Sequence, residues 1–279
     1  MKAKEVMSKD YIKIDMNNPV SKVLGQMRLK KEKNVLLFDG KTYKGIFSKH
    51  KMVRSKLDPA EWKAGKMLKR VPRLNGEEDL KEVARLMLTS NYSLLPVIEK
   101  GDIIGVVKAS DIIDKLDTKT KRKKVIDIAT TELVVVHEND RVGKAIQLMN
   151  EKTIERIPIV DDEGNLLNIV SITDLLSKYY LLMQSKTEAR GRGGLTQNGP
   201  RTIRAFKTMR HNRIEGLPVK NFATPVIITA TERENLRDVI NDMMKFEIGS
   251  IVVTRDKKAV GIVTIRDLLK LFLPSMLTF

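Results

Sequence analysis

The sequence predicts an α/β (α+β) protein built from four β-α-β-β-α repeats, each about 55 to 60 residues long. Three observations predict this architecture: four similar segment endings, an amphipathic helix before each, and a short apolar strand between helix and ending. Each ending is an apolar strand followed by a polar step into a helix, at residues 45–53, 105–113, 168–176 and 261–269. A pattern that recurs four times in register indicates one structural unit used four times.

The helices and strands of each repeat follow from the spacing of apolar residues. Apolar side chains recur at i, i+3 or i+4, and i+7 in the four helices, at Val20/Val23/Leu24/Met27, Leu80/Val83/Leu86/Met87, Val142/Ile146/Met149 and Leu236/Val239/Ile240/Met243. Short apolar strands that end in turn residues follow at 35–38, 95–98, 157–160 and 250–253. Two further strands are predicted upstream of helices, at 133–136 and 226–229.

The repeats divide the 279-residue chain into five segments. These are a strongly basic first repeat at 1–57, a second at 58–118, a third at 119–180, a basic Arg/Gly-rich insertion at 181–215 and a fourth repeat at 216–279. Length and a 42% hydrophobic composition suit two ordinary globular domains.

Composition excludes several classes of protein. The chain has no cysteine, which rules out a disulfide scaffold, a cysteine–zinc site and a thiol nucleophile. The three histidines (His50, His137 and His211) lack metal-ligand spacing, so no metal is expected. The sequence shows neither a signal peptide nor a run of apolar residues long enough to span a membrane. We therefore expect a soluble cytoplasmic protein with no membrane partner.

The net charge of +17 is concentrated in two segments. Residues 1–57 hold 15 Lys/Arg against 5 Asp/Glu, a net of +10, and residues 186–213 hold eight against one, a net of +7. The rest of the chain is neutral overall. Concentrated positive charge of this kind indicates a polyanionic partner, and nucleic acid is favoured over an anionic membrane.

The order of elements and the four endings resemble the CBS (cystathionine β-synthase) domain family over nearly the whole chain, apart from about 181–213. The resemblance implies that the repeats pair into two Bateman modules, with clefts between the repeats of a pair. It also implies a regulatory protein that is not an enzyme. CBS pairs often bind adenosine nucleotides, so AMP, ADP or ATP is a possible ligand, and no cofactor is required.

In nucleotide-binding members of this family, the step Gly-Ile-Val-[Ser/Thr]-x-x-Asp contacts the ligand: the hydroxyl meets phosphate and the carboxylate holds the ribose diol. The fourth repeat matches this step fully with Thr264 and Asp267, and Arg266 between them could face a phosphate. The third repeat matches with Ser171 and Asp174.

The other two repeats depart from the step. The second keeps Asp111 but has Lys108 at the hydroxyl position, and the first has Lys51 at the position of the aspartate. A lysine cannot accept hydrogen bonds from ribose, so the first site is predicted to be lost. A structural alternative remains open for all of these residues, because Ser/Thr-x-x-Asp before an apolar helix is also a helix capping box.

The 186–213 segment belongs to no repeat, and its Arg/Gly composition favours RNA over DNA. Guanidinium groups pair with phosphates, and aromatic rings can stack on bases. The predicted RNA-binding residues are Arg190, Arg192, Gly193, Arg201, Arg204, Phe206, Lys207, Arg210, His211 and Arg213, with Lys30, Lys31, Lys33, Lys49 and Lys51 of the first repeat. The alternative is a solvated linker between domains.

These features support two functional hypotheses. The first is a non-catalytic regulator that binds structured RNA, most simply the ribosome, similar to archaeal CBS-repeat proteins that bind ribosomes and silence translation in the manner of hibernation factors. The alternative is an adenosine-nucleotide sensor that acts on a protein partner and resembles the regulatory subunit of AMP-activated kinases. Either protein could be a monomer or a homodimer.

Overall fold

A computed structural model describes residues 1–30, 32, 34–49, 51, 62–178, 214–224 and 226–273. The first two repeats contain β1 Ile12–Asp15, α2 Val20–Leu29, β2 Val35–Asp39, β3 Thr42–Phe47, β4 Leu68–Lys69, α3 Leu80–Ser90, β5 Leu94–Glu99, β6 Asp102–Lys108 and α4 Ala109–Ile113. A short helix, α1 Ala3–Val6, precedes them.

The last two repeats follow the same order. They contain α5 Thr118–Lys121, β7 Val136–His137, α6 Val142–Glu151, β8 Arg156–Val160, β9 Leu166–Ser171, β10 Thr229–Thr231, α7 Leu236–Lys245, β11 Ser250–Arg255, β12 Lys258–Thr264 and α8 Ile265–Lys270. Short 3₁₀ helices lie at Ala64–Met67, Val125–Asp127 and Val219–Phe222.

The sheets confirm the predicted β-α-β-β order. In three repeats the strands before and after the helix pair in parallel, and the second of them forms an antiparallel hairpin with the next strand. These sheets are β1-β2-β3, β7-β8-β9 and β10-β11-β12. The second repeat has the hairpin β5-β6, and a single parallel bridge between Leu74 and Val97 takes the place of its first strand.

The two strands predicted upstream of helices lie further along the chain than expected. Pairing begins only at Val136, opposite Ile159 of β8, and at Thr229, opposite Val252 of β11. Val226 is 73% exposed and belongs to no strand. The difference arises because a strand is defined by its hydrogen-bonded partner, which an apolar run alone does not specify.

Three apolar clusters hold the repeats together. The first joins the helices and sheets of the second and fourth repeats, including Met87 and Leu268, and the second joins the first and third repeats, including Val23 and Val142. The third lies between the sheets of the first and second repeats. The sheets of the first and second repeats, which form the first module, thus pack on each other, whereas the first two clusters join each of these repeats to a repeat of the second module. A central cleft lies where the modules meet.

Within the ranges described above, no helix is long and apolar enough to cross a membrane. The same part of the chain shows no group of His, Asp or Glu side chains arranged to hold a metal ion.

Candidate functional site

All four repeats line the central cleft, which has a volume of about 310 Å³. The first repeat contributes Asn34, Phe47 and Lys49; the second Met87, Asn91, Tyr92 and Ser93; the third Thr130, Thr153, Ile154, Glu155 and Arg156; the fourth Gly249, Ile262, Thr264, Ile265, Arg266, Asp267, Leu269 and Lys270. Small-molecule sites commonly have volumes of about 300–1,000 Å³. The cleft falls at the lower end of that range, and its lining combines apolar side chains with many polar and charged ones.

Thr264 and Asp267 stand where strand β12 turns into helix α8, on the wall of the cleft. The Thr264 backbone N–H donates to Asp267 Oδ2 at 3.0 Å, and the Thr264 hydroxyl donates to the same oxygen at 2.7 Å. Lys270 Nζ donates to the other oxygen, Oδ1, at 2.9 Å. The pair thus forms a capping box and also faces the cleft, so the structural role expected of these residues is present and does not exclude binding.

Cations from three repeats surround this pair. Arg266 donates to Asn91 of the second repeat, which fixes its guanidinium across the cleft. Lys49 comes from the first repeat, and its Nζ donates to Thr173 Oγ1 at 3.2 Å. Burial lowers the pKa of Lys49, because the charged ammonium has lost much of its solvation. The nearby carboxylates of Glu155 and Asp174 act in the opposite direction and raise that pKa.

Arg156 of the third repeat is the fourth cation of the cleft, after Arg266, Lys49 and Lys270. Its guanidinium lies against the backbone of Gly249, where an added β-carbon would be only 2.5 Å from Arg156 Nη2. The glycine therefore leaves the space that the guanidinium occupies.

The third repeat uses its matching step differently. Asp174 Oδ2 accepts hydrogen bonds from the Ser171 backbone N–H at 3.0 Å, from the Ser171 hydroxyl and from Thr224 Oγ1 at 2.9 Å. The chain's own donors thus surround this oxygen, and neither Ser171 nor Asp174 is among the residues that line the central cleft.

In the second and first repeats, the residues at the positions of the nucleotide step also form hydrogen bonds within the chain. Asp111 Oδ2 accepts from the Lys108 backbone N–H at 2.9 Å, which is a helix-capping role, and burial raises the pKa of the Asp111 carboxyl. In the first repeat, Lys51 Nζ donates to the backbone oxygen of Leu68 at 2.6 Å.

Most residues predicted to bind RNA lie outside the described residues: Lys31, Lys33, Arg190, Arg192, Gly193, Arg201, Arg204, Phe206, Lys207, Arg210, His211 and Arg213. Their role stays a prediction. Lys30 and Lys51 are exposed, whereas Lys49 lines the central cleft.

Sequence reasoning found Thr264, Arg266 and Asp267 but missed Asn91, Arg156 and Gly249. Their place in the repeat could have drawn attention to two of them. Arg156 is the first residue of β8, and Gly249 directly precedes β11, the corresponding strand of the fourth repeat. Their contact joins two repeats, and no spacing within one repeat reveals it.

The chain is similar to several archaeal proteins. It is 26% identical to protein MJ1404 of Methanocaldococcus jannaschii over 273 residues, which cover 96% of this chain and 61% of that protein. It is 28% identical over 199 residues to a 33.4 kDa protein of Thermofilum pendens, covering 71% of this chain and 60% of that one. The chain thus spans about three fifths of the length of these relatives.

Among solved structures, protein MJ1225 of Methanocaldococcus jannaschii shares the fold, with a TM-score of 0.76 and 19% sequence identity. The match covers 98% of this chain and all of that one. The CBS domain model matches residues 3–58, 64–118, 125–180 and 219–274, which together are most of the sequence. With four matched repeats and the pairing of sheets described above, the chain belongs to the CBS domain family.

Proposed function

We propose that this protein is a regulatory CBS-domain protein, without catalytic activity of its own, whose central cleft binds an adenosine nucleotide. One observation carries the proposal: Thr264 and Asp267, the pair that fully matches the family's nucleotide step, line a cleft together with Lys49, Arg156 and Arg266. The other three repeats do not bring a complete step to this cleft.

The chemistry of the cleft suits the parts of a nucleotide. A carboxylate oxygen accepts hydrogen bonds from ribose hydroxyls. Asp267 Oδ1 keeps room for such a donor, since it accepts only from Lys270, whereas Oδ2 already accepts twice from Thr264. Ammonium and guanidinium groups bind phosphate, and the guanidinium does so through paired donors. Apolar side chains that could cover an adenine ring are Phe47, Met87, Ile154, Ile262 and Ile265.

Family membership supports this proposal, because paired CBS repeats often bind adenosine nucleotides. It therefore favours the nucleotide-sensor alternative of the sequence analysis over the main hypothesis of RNA binding, which no comparison shows. A regulatory protein of this kind would act on a partner through the change in packing that the ligand stabilises.

The proposal is tested by replacing Asp267→Asn and, as a matched control, Asp111→Asn. Both aspartates cap a helix through the same backbone hydrogen bond, at 3.0 Å and 2.9 Å, but only Asp267 lines the cleft. We expect Asp267→Asn to weaken AMP, ADP or ATP binding by about tenfold or more, since hydrogen bonds to a charged group contribute about 1.5–3 kcal/mol. Nucleotide-induced shifts in melting temperature measure the effect.

The control separates binding from capping. Asp111→Asn should keep the full nucleotide-induced shift, although it should lose less stability without ligand than Asp267→Asn, because Asp267 also accepts from the Thr264 hydroxyl and from Lys270. Equal loss of the shift in both variants would show that Asp267 acts only as a cap, and the proposal would be wrong.

A second candidate function, binding of RNA, is favoured by a further charged segment. Residues 62–76 contain no Asp or Glu, and their five cations are all exposed: Lys63, Lys66, Lys69, Arg70 and Arg73. The Thermofilum pendens relative is described as a protein in a ribosomal RNA operon. Several exposed cations within a stretch of fifteen residues that contains no acidic residue form a surface suited to phosphates.

This candidate is tested with the triple variant Lys66→Gln, Lys69→Gln and Arg73→Gln, measured by co-sedimentation with ribosomes at increasing salt. The control neutralises three exposed lysines elsewhere, Lys81, Lys119 and Lys258. RNA binding through this segment predicts loss of sedimentation in the first variant only. Equal behaviour of both variants would remove the segment from the interface.

A further inference from the structure

In the second repeat, Lys108, at the hydroxyl position of the nucleotide step, forms an ion pair within the chain. Lys108 Nζ donates to Glu32 Oε1 of the first repeat, and Asp10 Oδ2 lies 4.0 Å away. The Lys108 and Glu32 side chains are only 23% and 20% exposed, so this pair is largely removed from water. A carboxylate therefore stands against the residue whose counterpart in a nucleotide-binding repeat would meet a phosphate.

Lys108 and Thr264 are equivalent positions in the two modules. Each is the last residue of a hairpin strand and the N-cap of the helix that follows. Each also pairs with the first residue of the preceding strand, Lys108 with Leu94 and Thr264 with Ser250.

The loops that reach these positions are equivalent as well. In the second module Arg156 lies against Gly249, the residue before β11. In the first module Asn34 donates to the Ser93 hydroxyl at 3.5 Å, and Ser93 is the residue before β5. Ile154, two residues before Arg156, lines the cleft in the second module. The equivalent residue of the first module, two before Asn34, is Glu32, which accepts a hydrogen bond from Lys108.

We propose that the Glu32–Lys108 ion pair closes the nucleotide site of the second repeat by supplying an internal anion in place of a phosphate. The second repeat thereby binds no nucleotide of its own, and the step of the fourth repeat, in the central cleft, is the one that responds to nucleotide. This inference rests on the proposed function, since it concerns the number of sites and the identity of the residues that open or close them.

The geometry also explains why the pair persists. A largely buried ammonium without a partner is unfavourable, and so is a carboxylate, so each stabilises the charge of the other. Asp111 is the residue of the second repeat that still matches the nucleotide step. It caps the helix, and burial raises the pKa of its carboxyl. Removal of both charges, by a threonine and an isoleucine, would give Asp111 the same two neighbours at these positions as Asp267 has in Thr264 and Ile154.

The test installs those two residues in the first module, as the double variant Glu32→Ile and Lys108→Thr of the full chain. Calorimetric titration with AMP, ADP and ATP should show one more nucleotide bound per chain than in the wild type. Addition of Asp111→Asn should abolish the gained site and leave the original one. Lys108→Arg, which preserves the ion pair, should bind the same number as the wild type.

A folded double variant with the wild-type number of sites would overturn the inference. If the double variant does not fold, the variant Glu32→Ala and Asp10→Asn serves instead, because it removes both carboxylates near the Lys108 ammonium and leaves that cation for a phosphate; the same gain is expected, and its absence overturns the inference. A wild type that binds no nucleotide, beside a double variant that binds one, would contradict the proposed function alone.

Discussion

Gly249 determines where the guanidinium of Arg156 can lie. A β-carbon at this position would be 2.5 Å from Nη2, so Gly249→Ala must displace the guanidinium. We expect Gly249→Ala to weaken ATP binding about as much as Arg156→Gln does, by roughly tenfold, because a charge-assisted hydrogen bond to phosphate is lost in both. Adenosine, which lacks phosphate, should be affected little by either change.

The combination of the two substitutions supplies the control. If Gly249 acts only through Arg156, the double variant should bind ATP as weakly as either single variant, since the two effects are not additive for groups in contact. Additive losses would mean that Gly249 contributes to the cleft in another way.

Residue roles were predictable only where the signal lies within one repeat. Thr264 and Asp267 follow from a local step of four residues, and their hydrogen bonds are as local as that spacing. Lys49 contacts Thr173 across 124 positions of sequence, and no local pattern predicts such a partner. The choice between capping and binding was also beyond the sequence, because the same atoms of Asp267 can serve both.

At the scale of elements, helix α3 carries part of the cleft wall and depends on its N-cap. The Asp79 side chain accepts from the Glu82 backbone N–H at 2.8 Å, whereas Asn235, the N-cap of α7, makes no such hydrogen bond. We expect Asp79→Ala to lower the free energy of unfolding by about 1 kcal/mol, and Asn235→Ala by clearly less. Urea denaturation of both variants measures the difference, and equal losses would contradict this account of the cap.

The helices and hairpins could be predicted because each has an internal signal. In α7, apolar residues at Leu236, Val239, Ile240 and Met243 are all buried, as the helical period requires. The strands β7 and β10 had no such signal, because their bounds depend on a partner beyond the helix. For the same reason, the strands predicted at 133–136 and 226–229 begin three residues before the observed pairing.

At the scale of the whole molecule, the modules share their cores. Helix α8 of the fourth repeat packs against α3 and α4 of the second, with Leu268 and Leu269 buried in the joint cluster. A chain of residues 1–118 would expose the apolar face that these residues cover, so we expect it to dimerise or aggregate through that face. Sedimentation velocity tests this, and a stable monomeric 1–118 fragment would contradict the shared core.

The distribution of charge could also be predicted only in part from the sequence. The sequence places +10 in residues 1–57, yet Lys49 lines the central cleft and Lys44 Nζ lies 3.7 Å from Asp39 Oδ2. Net charge therefore overstates the cationic surface of the first repeat, since composition does not show which cations already have neighbours. Folding instead brings Lys49 together with Arg156 and Arg266 from two other repeats.

The central claim is that this shared cleft is a nucleotide site, and calorimetric titration of the full chain with AMP, ADP and ATP tests it most directly. The account predicts saturable binding of one adenosine nucleotide per chain, with loss of that binding in Asp267→Asn. An absence of heat with all three nucleotides, together with no change in melting temperature, would contradict it.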